Sequence, residues 1–305
     1  MAKANDYLLP DAQRALIQKH AKLALERAGA FGVFPTPIDE ILDASKLVVS
    51  DDDLADEGLI AHFRRKAKAA GQSLRRAINK VMGALDAVAK IIYLDRTLHV
   101  AKIAFIKLHE AGHAVLPWQR DIYSHTEDCE VTLAPEIAEE FEREANTFAA
   151  DVIFQINKFT EEANQYPFGI LVPVRLSKRY GASIYMSVRR YVTESHRACM
   201  VLVLEPPKIA PGGFSAEMRR EVASPSFLQQ FGPLSWPASF GPDDEIGRIV
   251  PLYGRKMSRP REITLVDRNK VQHKCVAEAF TQTHQVFILI HSVATLKRLT
   301  VSMTG

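Results

Sequence analysis

The sequence predicts an α+β fold in two parts: a helical N-terminal domain with a short edge sheet, then a mostly β C-terminal domain. Through most of the first 197 residues, apolar side chains recur at helical spacing. From Cys199 onward, short apolar and β-branched runs alternate with turn residues instead. A chain of 305 residues with 47% hydrophobic content can bury two cores, so we expect domains at residues 1–197 and 198–305.

Helices that flank short strands are predicted for the N-terminal part. One helix is expected over residues 10–29 and another from Pro37, because proline favours the first turn of a helix. Residues 47–50 and 91–94 have the composition of strands. The segment before the second strand is expected to be helical over residues 73–89.

The strongest chemical signal in the chain is the pattern His-Glu-Ala-Gly-His at residues 109–113. On a helix, His109 and His113 stand one turn apart on the same face, so both imidazoles can bind one metal ion. Glu110 lies beside the first histidine and can take a proton from a metal-activated water. The pattern therefore predicts a zinc site that hydrolyses amide bonds.

The competing interpretation is an amphipathic core helix in which two histidines fall one turn apart by chance. Glu110 lies in an otherwise apolar segment, where an unpaired charge is costly. Gly112 gives up about 1 kcal/mol of helix propensity relative to alanine, which indicates that something must approach it closely. Pro117 is expected to end the helix, since proline disfavours the helical conformation of the residue before it. These features favour the metal site.

A third ligand is expected from the next predicted helix, residues 135–155. Its buried stripe is formed by apolar residues at helical spacing, Ile137, Phe141, Ala145, Phe148 and Val152. Glu144 borders this stripe on one side and Glu142 on the other, so periodicity alone does not choose between them. The loop between the two helices offers weaker alternatives: His125, Asp128 and Cys129.

Together, the motif and the segment Glu-Arg-Glu-Ala-Asn-Thr-Phe-Ala-Ala at residues 142–150 resemble the ImmA/IrrE family of zinc metallopeptidases. The resemblance covers about residues 35–192. It implies a zincin-like fold for the N-terminal domain, with Glu110 as general base and zinc held by His109, His113 and Glu144. It also implies that the strand at residues 91–94 lies along the active-site edge and holds substrate backbone.

The activity that the resemblance implies is limited proteolysis of a regulatory protein, in particular a transcriptional repressor. The C-terminal domain would then sense a signal or recognise the substrate. Three residues are candidates for contacts to the oxyanion or the substrate: Tyr123, His125 and Tyr166.

The chain departs from the family pattern in two places. Residues 51–90 are longer and more basic than the usual connection before the edge strand. Phe148, four residues beyond Glu144, cannot serve as the outer carboxylate that some zinc peptidases with a glutamate ligand have at this spacing. What orients the two histidines is therefore left open by the sequence, although ligand histidines normally donate their second ring N–H to a partner.

An alternative function is a non-catalytic, zinc-containing regulator that binds DNA or a protein. Residues 173–192 resemble a helix-turn-helix, and the segment 62–80 carries seven basic residues and no acidic ones. Such helix pairs often complete a core, and the net charge of +3 is too small to imply nucleic acid. Binding to nucleic acid is thus possible but not favoured.

Bulk properties point to a cytoplasmic protein without a membrane partner. No apolar run reaches the roughly 20 residues that cross a bilayer, and the N-terminus lacks the apolar segment of a secretion signal. The three cysteines have no short spacing, which argues against disulfides and against a cysteine-based zinc site.

The C-terminal part is predicted to consist of strands. They are expected at residues 200–204, 246–252, 262–266, 275–280 and 286–291. A Pro- and Gly-rich stretch at residues 205–242 separates the first strand from the others. No catalytic constellation stands out in this part of the sequence.

Overall fold

The computed structural model describes residues 9–53, 83–86, 89–122 and 135–293. The predicted basic segment at residues 62–80 lies outside this part of the chain. The fold class is confirmed: helices dominate the N-terminal part and strands the C-terminal part.

The chain forms two compact units. The N-terminal unit comprises Leu9–Phe159 and Ser177–Ser183, and the C-terminal unit comprises Thr160–Leu176 and the residues from Ile184 onward. Compactness therefore groups residues 160–176 and 184–197 with the strands that follow them. The domain boundary predicted after residue 197 stays a prediction.

In the N-terminal unit, helices surround a small sheet. The helices are α1 (Asp11–Arg27), α2 (Ile38–Ala44), α3 (Val100–Val115), α4 (117–122) and α5 (Pro135–Ile153). The strands are β1 (Val48–Asp53), β2 (Gly83–Asp86) and β3 (Ile91–Leu94). Helix α5 packs against both α1 and α3. The core between them is fully buried and includes Ile17, Leu25, Leu108 and Phe148.

The start and the end of α3 follow from local chemistry. At its start, His99 caps the helix, with Nδ1 accepting a hydrogen bond from the backbone N–H of Ala101 at 3.2 Å. At its end, Leu116 is extended with φ −72° and ψ 114°. The predicted effect of Pro117 is thus confirmed, because a residue before proline is driven out of the helical region. Proline then occupies the first turn of α4.

Strand β3 lies at the centre of the three-stranded sheet, and this corrects the prediction that it forms the edge. It pairs in parallel with β1, with Val48 opposite Ile91, and antiparallel with β2, with Asp86 opposite Ile91. Both of its backbone edges are therefore used by neighbours. Among the described strands, the free edges belong to β1 and β2. Within the helix predicted over residues 73–89, residues 83–86 instead form strand β2, because pairing with β3 overrides local propensity; residues 73–82 lie outside the described residues.

A hydrogen-bond network around Gln155 fixes the loop that follows α1. Its side chain is completely buried, and its Oε1 accepts from the backbone N–H of Gly32 at 2.6 Å. Its Nε2 donates to the carbonyl oxygens of Ala30 and Val33 and to the hydroxyl of Thr36. One amide thus satisfies four groups of the loop, and the loop is held to the end of α5.

Replacing Gln155 with alanine is expected to destabilise the chain by about 2–4 kcal/mol, since several buried polar groups would lose their partner. Urea unfolding monitored by circular dichroism measures this change. A variant within about 0.5 kcal/mol of the wild type would show that water replaces the amide at no cost.

The C-terminal unit is built on one large antiparallel sheet. The strands are β4 (Cys199–Leu204), β5 (Lys208–Ala210), β6 (Gly213–Ala223), β7 (Ser239–Phe240), β8 (Arg261–Val266), β9 (Gln272–Gln282) and β10 (Gln285–Ser292). The sheet order is β5-β6-β4-β10-β9-β8, and β7 pairs with β6. The helices are α8 (Ile184–Thr193) and α9 (Pro225–Phe231), while α6 (Lys158–Ala163) and α7 (Leu171–Tyr180) contain residues of both units.

Four of the five predicted C-terminal strands are present as β4, β8, β9 and β10. The strand predicted at residues 246–252 is instead a 3-10 turn at Gly247–Ile249, since its buried residues Ile246, Ile249 and Val250 are spaced as in a helical turn. The stretch at residues 205–242, expected to separate strands, contains the eleven-residue strand β6.

Candidate metal centre

Helix α3 carries the histidine motif and packs closely against α5. A Cβ atom built on Gly112 would lie 3.2 Å from the Cα of Ala145 and 3.2 Å from a ring carbon of Phe148. Gly112 was expected to allow a close approach by another group, and that group is helix α5, through the backbone of Ala145 and the ring of Phe148. The contact brings side chains of both helices to one site.

Replacing Gly112 with alanine is expected to destabilise the metal-free chain by up to about 2 kcal/mol. Alanine gains about 1 kcal/mol of helix propensity, but overpacking costs about 1–3 kcal/mol. The obstacle includes a backbone atom, which cannot rotate away. Urea unfolding measures the loss, and an increase in stability would show that the two helices have room to separate.

Donor atoms of three side chains meet where the helices touch. The Nε2 atoms of His109 and His113 lie 3.2 Å apart. Glu142 from α5 places Oε2 at 3.3 Å from Nε2 of His109 and Oε1 at 3.5 Å from Nε2 of His113. The histidine side chains are 14% and 7% exposed, whereas that of Glu142 is 54% exposed. The cluster is thus buried on the α3 side and open to solvent on the Glu142 side.

This donor set fits a zinc ion. Tetrahedral zinc with bonds of about 2.0–2.1 Å places neighbouring ligand atoms about 3.3–3.4 Å apart. The two Nε2 atoms lie 3.2 Å apart, and the carboxylate oxygen nearest to each lies 3.3 Å from one and 3.5 Å from the other, close to that value. Two imidazole lone pairs and a carboxylate at such distances repel one another unless a positive charge lies between them. Three protein ligands also leave a fourth position for water or substrate.

The electrostatics of the cluster favour positive charge. Burial opposes the charged form of His109, but the hydrogen bond to Glu142 and the neighbouring carboxylates raise its pKa above the ordinary value. Burial also opposes the charged form of Glu142, but the contacts with His109 and His113 hold its pKa well below the usual range. A proton can supply this charge, and so can a metal ion.

Glu110 has the environment expected of the general base. It is 8% exposed and directly follows His109 on helix α3. Burial raises the pKa of its carboxyl, while the nearby His109 and His113 act in the opposite direction. A raised pKa suits a group that must take up a proton and release it again near neutral pH.

The structure places Glu142, and not the Glu144 that the family resemblance implied, beside the imidazole pair. Glu144 is 2% exposed, and its carboxylate accepts hydrogen bonds from three other side chains. These are Nε1 of Trp118 at 2.7 Å, Nε2 of Gln119 and Nε2 of Gln13. The donors saturate the carboxylate on the side of α5 that faces α1 and α4.

The second ring nitrogen of each histidine also has a partner. Nδ1 of His109 lies 3.2 Å from Oδ1 of Asn146 on α5. Nδ1 of His113 lies 2.6 Å from Oε1 of Gln119, whose side chain is completely buried. The partners that the sequence left open are therefore two amides. Asn146 stands four residues after Glu142, the same spacing that separates Phe148 from Glu144.

Of the remaining predicted site residues, Tyr123 and His125 lie outside the described residues, as do the alternative ligands Asp128 and Cys129. Tyr166 belongs to the C-terminal unit and is 47% exposed.

Sequence patterns did not single out the four residues that contact the histidines and Glu144: Gln13, Trp118, Gln119 and Asn146. Gln119 follows an apolar run, and its complete burial depends on tertiary packing. Asn146 carried a usable signal, because an amide four residues from a glutamate on the same helix shares its face.

Two histidines one helical turn apart and a glutamate from a second helix form a possible metal site of the HExxH type. Residues 60–191 match the Peptidase_M78 family, described as the IrrE N-terminal-like domain. The family resemblance of the motif is thereby confirmed over these residues.

A transcriptional regulator from Mycobacterium tuberculosis is similar in structure. It is 14% identical, the match covers 97% of this chain and 98% of that chain, and the TM-score is 0.49. This likeness is too distant to carry an argument about function. No curated protein matches the sequence. None of the described helices is long and apolar enough to cross a membrane.

Proposed function

We propose that the chain is an intracellular, zinc-dependent endopeptidase that cleaves a regulatory protein at one or a few positions. The observation that carries the proposal is the cluster of two Nε2 atoms and one carboxylate at zinc-ligand spacing, with the buried carboxyl of Glu110 next to His109. The choice of a transcriptional repressor as substrate rests on the family resemblance.

Each residue of the site has a distinct role in this proposal. His109, His113 and Glu142 hold the ion, with Glu142 in place of the Glu144 that the resemblance implied. A bound zinc ion supplies Lewis acidity, which polarises the scissile carbonyl and lowers the pKa of a water molecule. Glu110 accepts a proton from the attacking water and passes it to the leaving amine nitrogen.

The substrate is proposed to bind as an extended peptide along the outer edge of β2. This strand lies against α3, and its outer backbone edge is free among the described strands. A peptide backbone can add to such an edge by main-chain hydrogen bonds. Tyr123, His125 and Tyr166 stay candidates for contacts to the substrate or the oxyanion.

Incubation with the repressor-like protein encoded by the adjacent gene tests the proposal. The zinc-loaded chain is expected to produce one or a few defined fragments by mass spectrometry, and a chelator is expected to stop the cleavage. A fully zinc-loaded chain that leaves this protein intact over hours would contradict the proposed substrate. Failure on every repressor and peptide library tried would contradict the proposed activity.

The burial of α8 weighs against the alternative of DNA binding through the helix-turn-helix-like segment. A recognition helix must present an exposed face to the major groove. No residue of α8 is exposed, and the helix packs against β4 and β6 within its own unit. Operator binding that weakens steeply with salt, without cleavage of any repressor, would favour the alternative.

A further inference from the structure

We propose that Glu144 and Gln119 form a relay that holds His113 in the tautomer with its hydrogen on Nδ1. Nε2, which faces the other two donors, is then free to bind the metal ion. Both are positioning residues that act through His113. The inference rests on the proposed metal site. It assigns to the buried carboxylate of Glu144 the role of orienting Gln119 rather than binding the ion.

The orientation of the Gln119 amide follows from its neighbours. Its Nε2 lies 3.1 Å from the carbonyl oxygen of Phe141 and also contacts Oε2 of Glu144. A carbonyl oxygen and a carboxylate can only accept hydrogen bonds, so the NH₂ group must face them. Oε1 of Gln119 therefore faces Nδ1 of His113, at 2.6 Å. Because Oε1 can only accept, Nδ1 must carry the hydrogen.

Burial of Gln119 and Glu144 holds the Gln119 amide in this one orientation. Gln119 is 0% exposed and Glu144 is 2% exposed, so water cannot readily replace a lost hydrogen bond. Glu144 is itself held by Nε1 of Trp118 at 2.7 Å and by Nε2 of Gln13. A reversed amide at position 119 would point its own oxygen at the oxygen atoms of Phe141 and Glu144. Its NH₂ group would then face Nδ1 of His113. The carboxylate therefore prevents the reversal.

The relay has a direct consequence for metal binding. A free neutral imidazole prefers its hydrogen on Nε2, which is the atom that faces Glu142 and His109 in this structure. The relay opposes that preference before any ion arrives. The hydrogen bond also increases the basicity of His113 as a ligand, and such outer partners are worth about 10- to 100-fold in metal affinity.

The test replaces Gln119 with leucine and follows the imidazole of His113 by ¹⁵N NMR in the metal-free chain. The wild type is expected to show a protonated Nδ1. The Gln119→Leu variant is expected to shift toward protonated Nε2 and to bind zinc about 10- to 100-fold more weakly in a chelator competition. A purely structural role for Gln119 would not move the tautomer.

Gln13→Leu is the matched control, since it removes a different amide that donates to the same carboxylate. It is expected to keep the tautomer and to change zinc affinity less than about threefold. If it lowers zinc affinity as much as Gln119→Leu does, the effect comes from loosened packing and the relay is overturned.

The wild-type measurement covers the case in which the leucine variant does not fold, because it needs no substitution. A protonated Nε2 of His113 in the metal-free wild type overturns the relay. The expected tautomer in a wild-type chain that does not bind zinc overturns the proposed function instead.

Discussion

Replacing Glu110 with glutamine is expected to lower kcat/KM for the cleaved substrate about 100- to 10,000-fold. Glutamine has the size and shape of glutamate but cannot accept a proton from the attacking water. The zinc ligands are untouched, so the variant is expected to bind one zinc ion with wild-type affinity. Cleavage rates, together with metal content by atomic absorption and thermal unfolding, separate a lost base from a lost fold.

Glu139→Gln supplies the control for this measurement. Glu139 lies on the exposed face of α5, so the same chemical change there is expected to alter cleavage less than about twofold. Full activity in Glu110→Gln would remove general base catalysis by this residue. A parallel loss of zinc would instead mean that the carboxylate helps to hold the site together.

Helical periodicity predicted the two helices that build the site, because each buries a stripe of apolar side chains. Helix α5 was expected over residues 135–155 and is observed over Pro135–Ile153. Phe141, Ala145, Phe148 and Val152 are buried as predicted, whereas Ile137 is 40% exposed in the first turn. The stripe thus begins one turn later than its apolar pattern indicates.

Periodicity could not choose the third ligand. Glu142 and Glu144 border the stripe on opposite sides, and only contacts made by other parts of the chain distinguish them. Gln13 and Trp118 contact the Glu144 side, so that carboxylate becomes buried among donors. One local signal could have been read differently: Phe148, four residues beyond Glu144, cannot form a hydrogen bond, whereas Asn146, four residues beyond Glu142, bonds to His109.

Strands β1 and β3 of the small sheet were predicted, whereas β2 was not, because its sequence alone does not indicate a strand. Residues 83–86 read Gly-Ala-Leu-Asp, which has little strand propensity and no alternation. Pairing with β3 makes this segment a strand and moves the free edge outward from β3 to β2. A prediction from composition alone cannot anticipate such pairing.

Replacing Glu142 with alanine is expected to lower zinc affinity more than about 100-fold, beyond the range of an outer partner. The Glu142 carboxylate is the candidate ligand that α5 adds to the imidazole pair, and among the described residues an ion without it would keep two ligands. The metal-free chain is expected to unfold within about 1 kcal/mol of the wild type, because the Glu142 side chain is 54% exposed. Chelator competition and urea unfolding measure the two properties.

Glu144→Ala is expected to have the opposite balance of effects. Removal of this buried carboxylate takes one acceptor from each of three donors, which costs about 2–4 kcal/mol in the free energy of unfolding. Zinc affinity is expected to fall no more than about 100-fold, because the loss is transmitted only through Gln119 and His113. The ligand and the positioning residue thus differ in which property each controls. If Glu144→Ala loses zinc more completely than Glu142→Ala at equal stability, Glu144 is the ligand and α5 must rotate when the metal binds.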